Sequence, residues 1–424
     1  MTREESSEKA EETSSRLKMK GKKYLKLVLM AFGRQGMSAI LNFFSILIIA
    51  RYLGPEGNGA FSLAMTAALT FGLMINLGLG QANAYFIGRG ETTASSVVST
   101  SVTMMLLYLC IFLGGLAVSR QFLTVTDDDW TYLYGVVFFG TFIACNSWLL
   151  GALQGLLRFE YYNFSMILPS AFFLAITISL VMFGVRDHRM YFLGWGLGNI
   201  SSFFFMAFHF RDELSRGSIS KDKFLRSISY GWKVHVANLC SFLVYRVDIY
   251  ILGIFWGAST VGIYSVAQQV VERFWMISQA ISTVMFPSLA SMKSKNDSDG
   301  VDLIVKKSLK WVFISSFLGL LILFVVVDWA IVLVFGDRYA EASTLIKILL
   351  PGMVLFNVSR VLASATGAAG RVGVMVVVSL TCLLFSATLN YYLIPLYGAV
   401  GAASATSISY GVAFFLGWFV YKRF

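Results

Sequence analysis

Charge is what this 424-residue chain has least of. Asp, Glu, Lys and Arg make up 13% of it, where a soluble domain carries about 25%. A chain so short of charge cannot cover a water-facing surface. Apolar residues reach 57% and the mean hydropathy is +0.71, so its solvent is lipid. Cysteine is scarce as well. Cys110, Cys145, Cys240 and Cys382 all lie inside apolar runs, which excludes a disulfide framework and leaves them as small packing residues. The opening "MTREESSEKAEETSSRLKMKGKKY" holds no apolar core of signal-peptide length. Its blocks of acid and base read as a disordered tail over residues 1–24. Lys18, Lys20, Lys22 and Lys23 stand just before the first apolar run, where cations meet anionic headgroups on a cytoplasmic face.

Several chemical signatures are missing. No Gly-Lys-Ser/Thr occurs, so there is no phosphate-cradling ATP loop, and any work the chain does must run on a gradient or on a ligand's own downhill chemistry. The three histidines, His188, His209 and His235, are scattered and form no HExxH zinc signature. The glycine-dense "LGLGQ" at 77–81 and "LGWGLG" at 193–198 lie within apolar runs. A dinucleotide loop needs a strand before it and a helix start after it, so these glycines are read as packing. No cofactor, no metal and no nucleic-acid partner is expected.

What the chain does hold is long apolar runs. A bilayer-crossing helix needs about 20 mostly apolar residues. Twelve such runs can be read: 25–50, 60–86, 94–118, 130–156, 162–184, 190–210, 226–256, 260–290, 309–335, 343–368, 373–394 and 399–420. The fold expected is an all-α polytopic membrane protein. Connections that would be cytoplasmic, with both termini, carry 22 Lys/Arg, and the opposite connections carry 5. That contrast places both termini inside. Neither side has a loop long enough for a folded soluble domain.

The runs repeat. "ARYLGPEGNGAFSLA" at 50–64 aligns with "GIFWGASTVGIYSVA" at 253–267: Gly54 meets Gly257, Gly59 meets Gly262 and Ser62 meets Ser265. The same offset pairs Gly198 with Gly401, and a longer one pairs Arg158 with Arg371. Two halves of six spans, related by an axis along the membrane normal, follow from this. The boundaries expected are an N-terminal six-helix bundle over 25–210, a cytoplasmic linker over 211–225 and a C-terminal six-helix bundle over 226–424. Within each corner, Gly54 and Gly57 are expected to allow the turn, while Gly59, Ser62 and Ala64 allow close helix approach.

These same residues carry a resemblance. "ARYLGPEGNGAFSLA", "NLGLGQANAYFIGRG" at 76–90, "YRVDIYILGIFWGASTVGIYSVAQQVVE" at 245–272, "FPSLASM" at 286–292, "FGDRYAEASTLIKIL" at 335–349 and "PLYGAVGAASATSISY" at 395–410 resemble the polysaccharide transporter family. That family of lipid-linked oligosaccharide flippases includes the O-antigen-unit flippases. Its superfamily, the multidrug/oligosaccharidyl-lipid/polysaccharide exporters, also holds the multidrug and toxin extrusion transporters and the lipid II flippases. The resemblance implies two bundles around a central cleft that opens alternately to each side. It implies a polyprenyl-pyrophosphate-linked glycan as cargo and surface-polysaccharide biosynthesis as the setting. The partners implied are that glycan, the membrane lipids, and a polysaccharide polymerase or glycosyltransferases.

Charges within the spans are the candidate site. Each costs about 2.5–3.5 kcal/mol in mid-bilayer and so faces the bundle interior or a wet cavity. Lys26 and Lys347, near span ends, can snorkel. Arg34 is roughly 15 Å into the first span at 1.5 Å per residue. With Arg246, Arg273, Arg360 and Lys233 it forms a cationic excess over Asp248 and Glu272. Arginine forks match phosphate oxygens, so the five cations are candidates for holding a pyrophosphate. Arg246 and Arg273 have a second reading, as interhelical bridges to Asp248 or Glu272, which are also candidates for ion coupling. Asn42, Asn76, Gln81, Asn146, Gln154, Asn238, Gln268, Gln269 and Asn357 could bind sugar hydroxyls or each other's helices. Trp148, Tyr245, Tyr264 and Trp275 could stack on sugar rings or serve as packing and interface anchors.

The function expected is transport rather than catalysis: a flippase working by alternating access. A cation-coupled small-molecule exporter is the alternative. It would want a carboxylate deep in the first six spans, and none is there. A glycan polymerase or ligase would want a large outer loop, which is also lacking.

Overall fold

The computed structural model describes residues 3–120, 127–215, 220–276, the single positions 278, 279, 281, 282, 285 and 289, then 298–369 and 371–423. The described residues form helices α1 (Arg3–Asn76), α2 (Leu79–Gly88), α3 (Ala94–Ser119), α4 (Asp127–Gly155), α5 (Phe159–Met182), α6 (His188–His209) and the short α7 (Arg211–Ser215) in the first half. The second half holds α8 (Lys221–Val244), α9 (Val247–Glu272), α10 (Ser298–Phe335), α11 (Glu341–Ala368) and α12 (Val372–Lys422). Residues 3–24 were expected to be a disordered tail, but they continue α1 instead. Glu5 precedes Lys9 by four residues and Glu12 precedes Arg16 by four, a spacing that supports a helix.

Eight described helical segments are long and apolar enough to cross a membrane. Three of them, Gly33–Asn76, Lys221–Glu272 and Gly373–Lys422, break at Gly54, Gly257 and Gly398, so each passes twice. α6 completes the twelve runs; part of the run at 260–290, all but Leu289 of 286–292 and part of the 211–225 linker lie outside the described residues. Large apolar side chains face outward: along α10, Leu318, Ile322, Val325, Trp329 and Leu333 are all exposed.

The repeated corner has one backbone geometry in both halves. Gly54 has φ 74°, ψ −175° and Gly257 has φ 74°, ψ −178°. A side chain at positive φ costs roughly 1–2 kcal/mol, so glycine is the residue that permits the turn. Gly57 was expected to share this task, but it is helical and has no positive φ. The second repeat also holds. Arg158 (φ −82°, ψ 61°) and Arg371 (φ −93°, ψ 53°) each precede the first residue of a helix, α5 and α12.

The two corners pack on each other. A Cβ on Gly59 would fall 1.7 Å from the Ala258 carbonyl oxygen, and one on Gly262 would fall 1.8 Å from the Pro55 carbonyl oxygen. Ser62 donates to Ser265, its own counterpart 203 residues on, at 3.2 Å. Equivalent residues touch only across a symmetry axis, so the pseudo-two-fold passes here. Asn58 donates to the Gly262 carbonyl at 3.1 Å, Tyr339 donates to the Ala50 carbonyl at 3.1 Å, and Arg51 caps the last carbonyls of α10, Val334 at 2.6 Å and also Leu333. This end of the molecule is closed. At the other end α2 meets α8. Gly78 and Gly231 leave no room for a Cβ on either, Tyr85 stacks on Tyr230 at 4.4 Å, and Arg226 binds Glu91 at 2.7 Å.

The glycines read as packing do pack. Gly80 lies against the Ser147 carbonyl, Gly196 against Phe139, and Gly198 against the Pro169 carbonyl.

Gly262→Ala should lower stability by about 2 kcal/mol, because its Cβ overlaps backbone. Gly373→Ala, a helical site with open space around it, should not lower it. Thermal unfolding of both variants in detergent checks this; equal midpoints would remove the corner as the joint between halves.

Candidate functional site: a cationic cavity between the bundles

Two helix breaks set the site. α8 ends at Val244, and α9 starts at Val247 after Arg246, whose φ of −135° leaves the helical range. α9 then ends at Glu272 with Arg273 as its C-cap. α9 doubles back at Gly257 and so brings an arginine to each of its ends. A broken backbone is tolerated at membrane depth only where protein or a wet cavity surrounds it.

The cavity lies between α1 and α5 of one half and α9 and α11 of the other. It measures about 440 Å³ and is lined by Arg34, Glu272, Arg273, Gln279 and Arg360, with Trp275 and Met276. Arg34, Ser38 and Asn42 recur every four residues along α1 and share the lining face. Arg34 reaches the Met166 sulfur and lies 5.3 Å from the Tyr162 ring centre. Arg360 donates to Gln279 at 2.5 Å and lies 5.5 Å from the Trp275 ring and 5.9 Å from the Phe356 ring. The Nε atoms of Arg34 and Arg273 are buried with no hydrogen-bond partner.

The candidate cations separate into three groups. Arg34, Arg273 and Arg360 line one cavity, and none forms an ion pair among the described residues. Arg246 is matched: its fork faces Glu272, with Nη1 at 2.8 Å from one carboxylate oxygen and Nη2 at 3.1 Å from the other. It also donates to Gln268 at 3.1 Å. Lys233 is exposed on α8, its ammonium 5.8 Å from the Trp232 ring, and is not part of the lining. It belongs to the exposed surface of α8 that carries Trp232. Lys347 pairs with Asp328 at 2.6 Å; the side chain of Lys26 is outside the described residues.

Asp248 is fully buried and its oxygens are occupied. Oδ1 accepts from the Ile249 N–H at 2.8 Å, and Oδ2 accepts from Tyr264 at 2.5 Å, Gln268 at 2.8 Å and Thr406 at 2.9 Å. Tyr264 and Gln268 are thereby part of a buried network rather than a stacking or sugar-binding surface. Trp148 is fully buried and donates to the Asn76 carbonyl at 2.9 Å. Asn357 bonds Ser278 and Ser316.

A second chamber, about 510 Å³, adjoins the first inside the N-terminal bundle. Asn42 and Met166 line both. Asn42, Gln81, Asn146 and Gln154 of the expected polar residues line it, together with Tyr162 and Trp195. Sequence reasoning missed Gln279, Met166 and Tyr162. The first two carry no charge signal, and a tyrosine near a span end reads as an interface anchor.

Two six-pass bundles with a polar cleft between them make an all-α polytopic membrane fold. The sequence pattern of the family described as "Polysaccharide biosynthesis protein" matches residues 25–293, and the chain belongs to that family. The MatE pattern matches residues 234–392. Among curated relatives, "Probable low-salt glycan biosynthesis flippase Agl15" of Haloferax volcanii is 27% identical over 55% of this chain and 48% of its own length. That match thus spans about half of the relative. "Putative O-antigen transporter" of Shigella flexneri is 23% identical over 86% of this chain and 89% of its own. The solved structure "Lipid II flippase MurJ, inward closed conformation" has the same fold, with a TM-score of 0.74, 14% identity and coverage of 93% of this chain and 87% of that one.

The Arg246–Glu272 pair is the structural part of the cluster. Glu272→Gln should destabilise by about 3 kcal/mol, since it leaves Arg246 buried without its anion. The double variant Arg246→Met, Glu272→Gln should recover most of that loss. A double-mutant cycle by thermal unfolding checks the coupling; additive losses would contradict it.

Proposed function

We propose that this chain is a flippase. It carries a polyprenyl-pyrophosphate-linked oligosaccharide across the cytoplasmic membrane for surface-polysaccharide biosynthesis, with both termini on the cytoplasmic side. The observation that carries the reading is the set Arg34, Arg273 and Arg360 on one cavity, drawn from both bundles, against a single lining carboxylate, Glu272, that is already paired with Arg246. A pyrophosphate supplies the missing anion, and guanidinium forks fit its oxygens. The names of the relatives, a glycan biosynthesis flippase and an O-antigen transporter, support the same cargo class. The excess of Lys/Arg in the tail-side connections supports the orientation.

Alternating access follows from where the halves touch. The closed corner end is held by small residues, a serine pair and a few hydrogen bonds. Such a contact separates as a rigid joint without unpacking either bundle. Cargo enters from the open side of the Arg34 cavity, and the bundles then rock about the axis at Ser62 and Ser265. The small-molecule exporter reading is disfavoured by Asp248. That residue is fully buried with four donors on its oxygens and lines neither cavity, and the N-terminal chamber has no carboxylate among its lining residues.

The test is translocation of a fluorescent polyprenyl-pyrophosphate glycan in proteoliposomes, per correctly folded molecule. Arg34→Ala and Arg360→Ala should each lower the rate by about tenfold or more, since a charge-assisted contact contributes about 1.5–3 kcal/mol. Arg34→Lys keeps the cation without the planar fork and should retain partial activity. Wild-type rates per folded molecule in the alanine variants would refute the reading.

A further inference from the structure

The N-terminal chamber has a property that the arginine cavity lacks. None of its described lining residues is Asp, Glu, Lys, Arg or His. Amides and hydroxyls line it beside two aromatic rings and the aliphatic Leu69, Ile143 and Leu150, at a volume within the range of about 300–1,000 Å³ typical of small-ligand sites. Its polar groups are not all satisfied within the protein. Asn146 is only 7% exposed and donates Nδ2 to the Asn199 carbonyl at 2.8 Å, yet its Oδ1 is buried without a partner. A buried acceptor left open costs about 1–3 kcal/mol, so the site is built for something that donates. Gln81 and Gln154, both exposed to the chamber, make no side-chain hydrogen bond among the described residues.

Position matters as much as polarity. The chamber joins the arginine cavity at Asn42 and Met166. Arg34 touches Met166 and faces the Tyr162 ring, and Tyr162 lines the chamber. A ligand held by its pyrophosphate on Arg34 thus has its next group at the chamber mouth, with an aromatic face beside it.

We infer that this chamber is a sugar subsite that seats the uncharged sugar attached to the pyrophosphate and selects against acidic ones, with Asn146 Oδ1 accepting a sugar hydroxyl. The inference rests on the flippase reading. Hydroxyls both donate and accept, and amides answer both. A uronate carboxylate would be buried among amides with no cation in the chamber, and burying an unpaired charge is costly. Selection here opposes the pull of the neighbouring arginines, which would favour an acidic sugar on charge alone.

The test uses three probes on protein in nanodiscs: polyprenyl pyrophosphate without sugar, the same lipid with a neutral hexose, and the same lipid with a hexuronic acid. Wild-type protein should bind the neutral glycolipid about tenfold more tightly than the sugar-free lipid, and the uronate no better than the sugar-free lipid. Asn146→Leu should bring the neutral glycolipid down to the sugar-free level and leave the sugar-free lipid unchanged. Gln81→Leu, which breaks no contact within the protein, should lower the neutral glycolipid alone, by several-fold. Gln81→Arg should raise uronate binding by about tenfold. Equal binding of neutral and acidic glycolipids by wild type, or neutral binding unmoved by both leucine variants, would overturn the assignment. Failure of the arginine reading looks different. The sugar-free lipid would not bind at all, while a free neutral oligosaccharide would still bind in an Asn146-dependent way.

Discussion

The structure turns on a charge that the protein does not neutralise itself. Lipid offers no water to a buried ion, so each guanidinium in a span needs an anion, a ring or a wet cavity. Arg246 has its anion in Glu272. Arg34 and Arg360 rest partly on rings, Tyr162 for one and Trp275 and Phe356 for the other, and Arg273 has beside it only Glu272, which Arg246 already holds, among the described residues. All three face one cavity between the bundles. Removing Glu272 from Arg246 would turn a matched pair into a fourth unmatched cation, so the pair isolates the three free charges and fixes where they stand.

Backbone geometry serves that arrangement. The breaks at each end of α9 place Arg246 and Arg273 at helix ends rather than on a continuous lipid-facing surface. Gly54 and Gly257 fold each half into its first hairpin. Gly59 and Gly262 then let the hairpins approach so closely that a methyl group would collide with backbone. The halves therefore meet at one narrow joint at the corner end and along α2 and α8 at the other. The cavity is left on the α1–α9 side. The neutral chamber is lined by α1, α2, α4, α5 and α6 and adjoins that cavity at Asn42 and Met166, so a charged and an uncharged environment lie side by side.

Much of this was legible in the sequence, for physical reasons. Lipid demands long apolar runs, so the twelve spans and the all-α fold could be read directly. A positive φ demands glycine, so the Gly54–Gly257 repeat stood out and proved to be one conformation used twice. Charge in an apolar run is rare enough to mark Arg34, Arg273 and Arg360. Pairing was harder to read. Arg246 and Glu272 are 26 residues apart, and the reversal of α9 at Gly257 brings them together. Lys233 and Arg246 look alike in sequence, yet Lys233 is exposed on α8 while the break between α8 and α9 sets Arg246 against Glu272. Gly57 resembles Gly54 as a letter, but its φ is ordinary. The tail's mixed charge fitted disorder by composition and helix by its Glu–Lys and Glu–Arg spacing. Gln279 and Met166 carry no signal until the fold puts them beside an arginine.

The most direct measure of the central claim is a headgroup series on the purified wild-type protein: polyprenol, polyprenyl monophosphate and polyprenyl pyrophosphate, all without sugar, read by ligand-induced thermal stabilisation at fixed concentration. Three unmatched arginines predict that stabilisation rises with each phosphate, falls with added salt, and is absent for the alcohol. Equal stabilisation by all three lipids would show that the chain recognises the polyprenyl tail and that the cavity's charge is not directed at an anion.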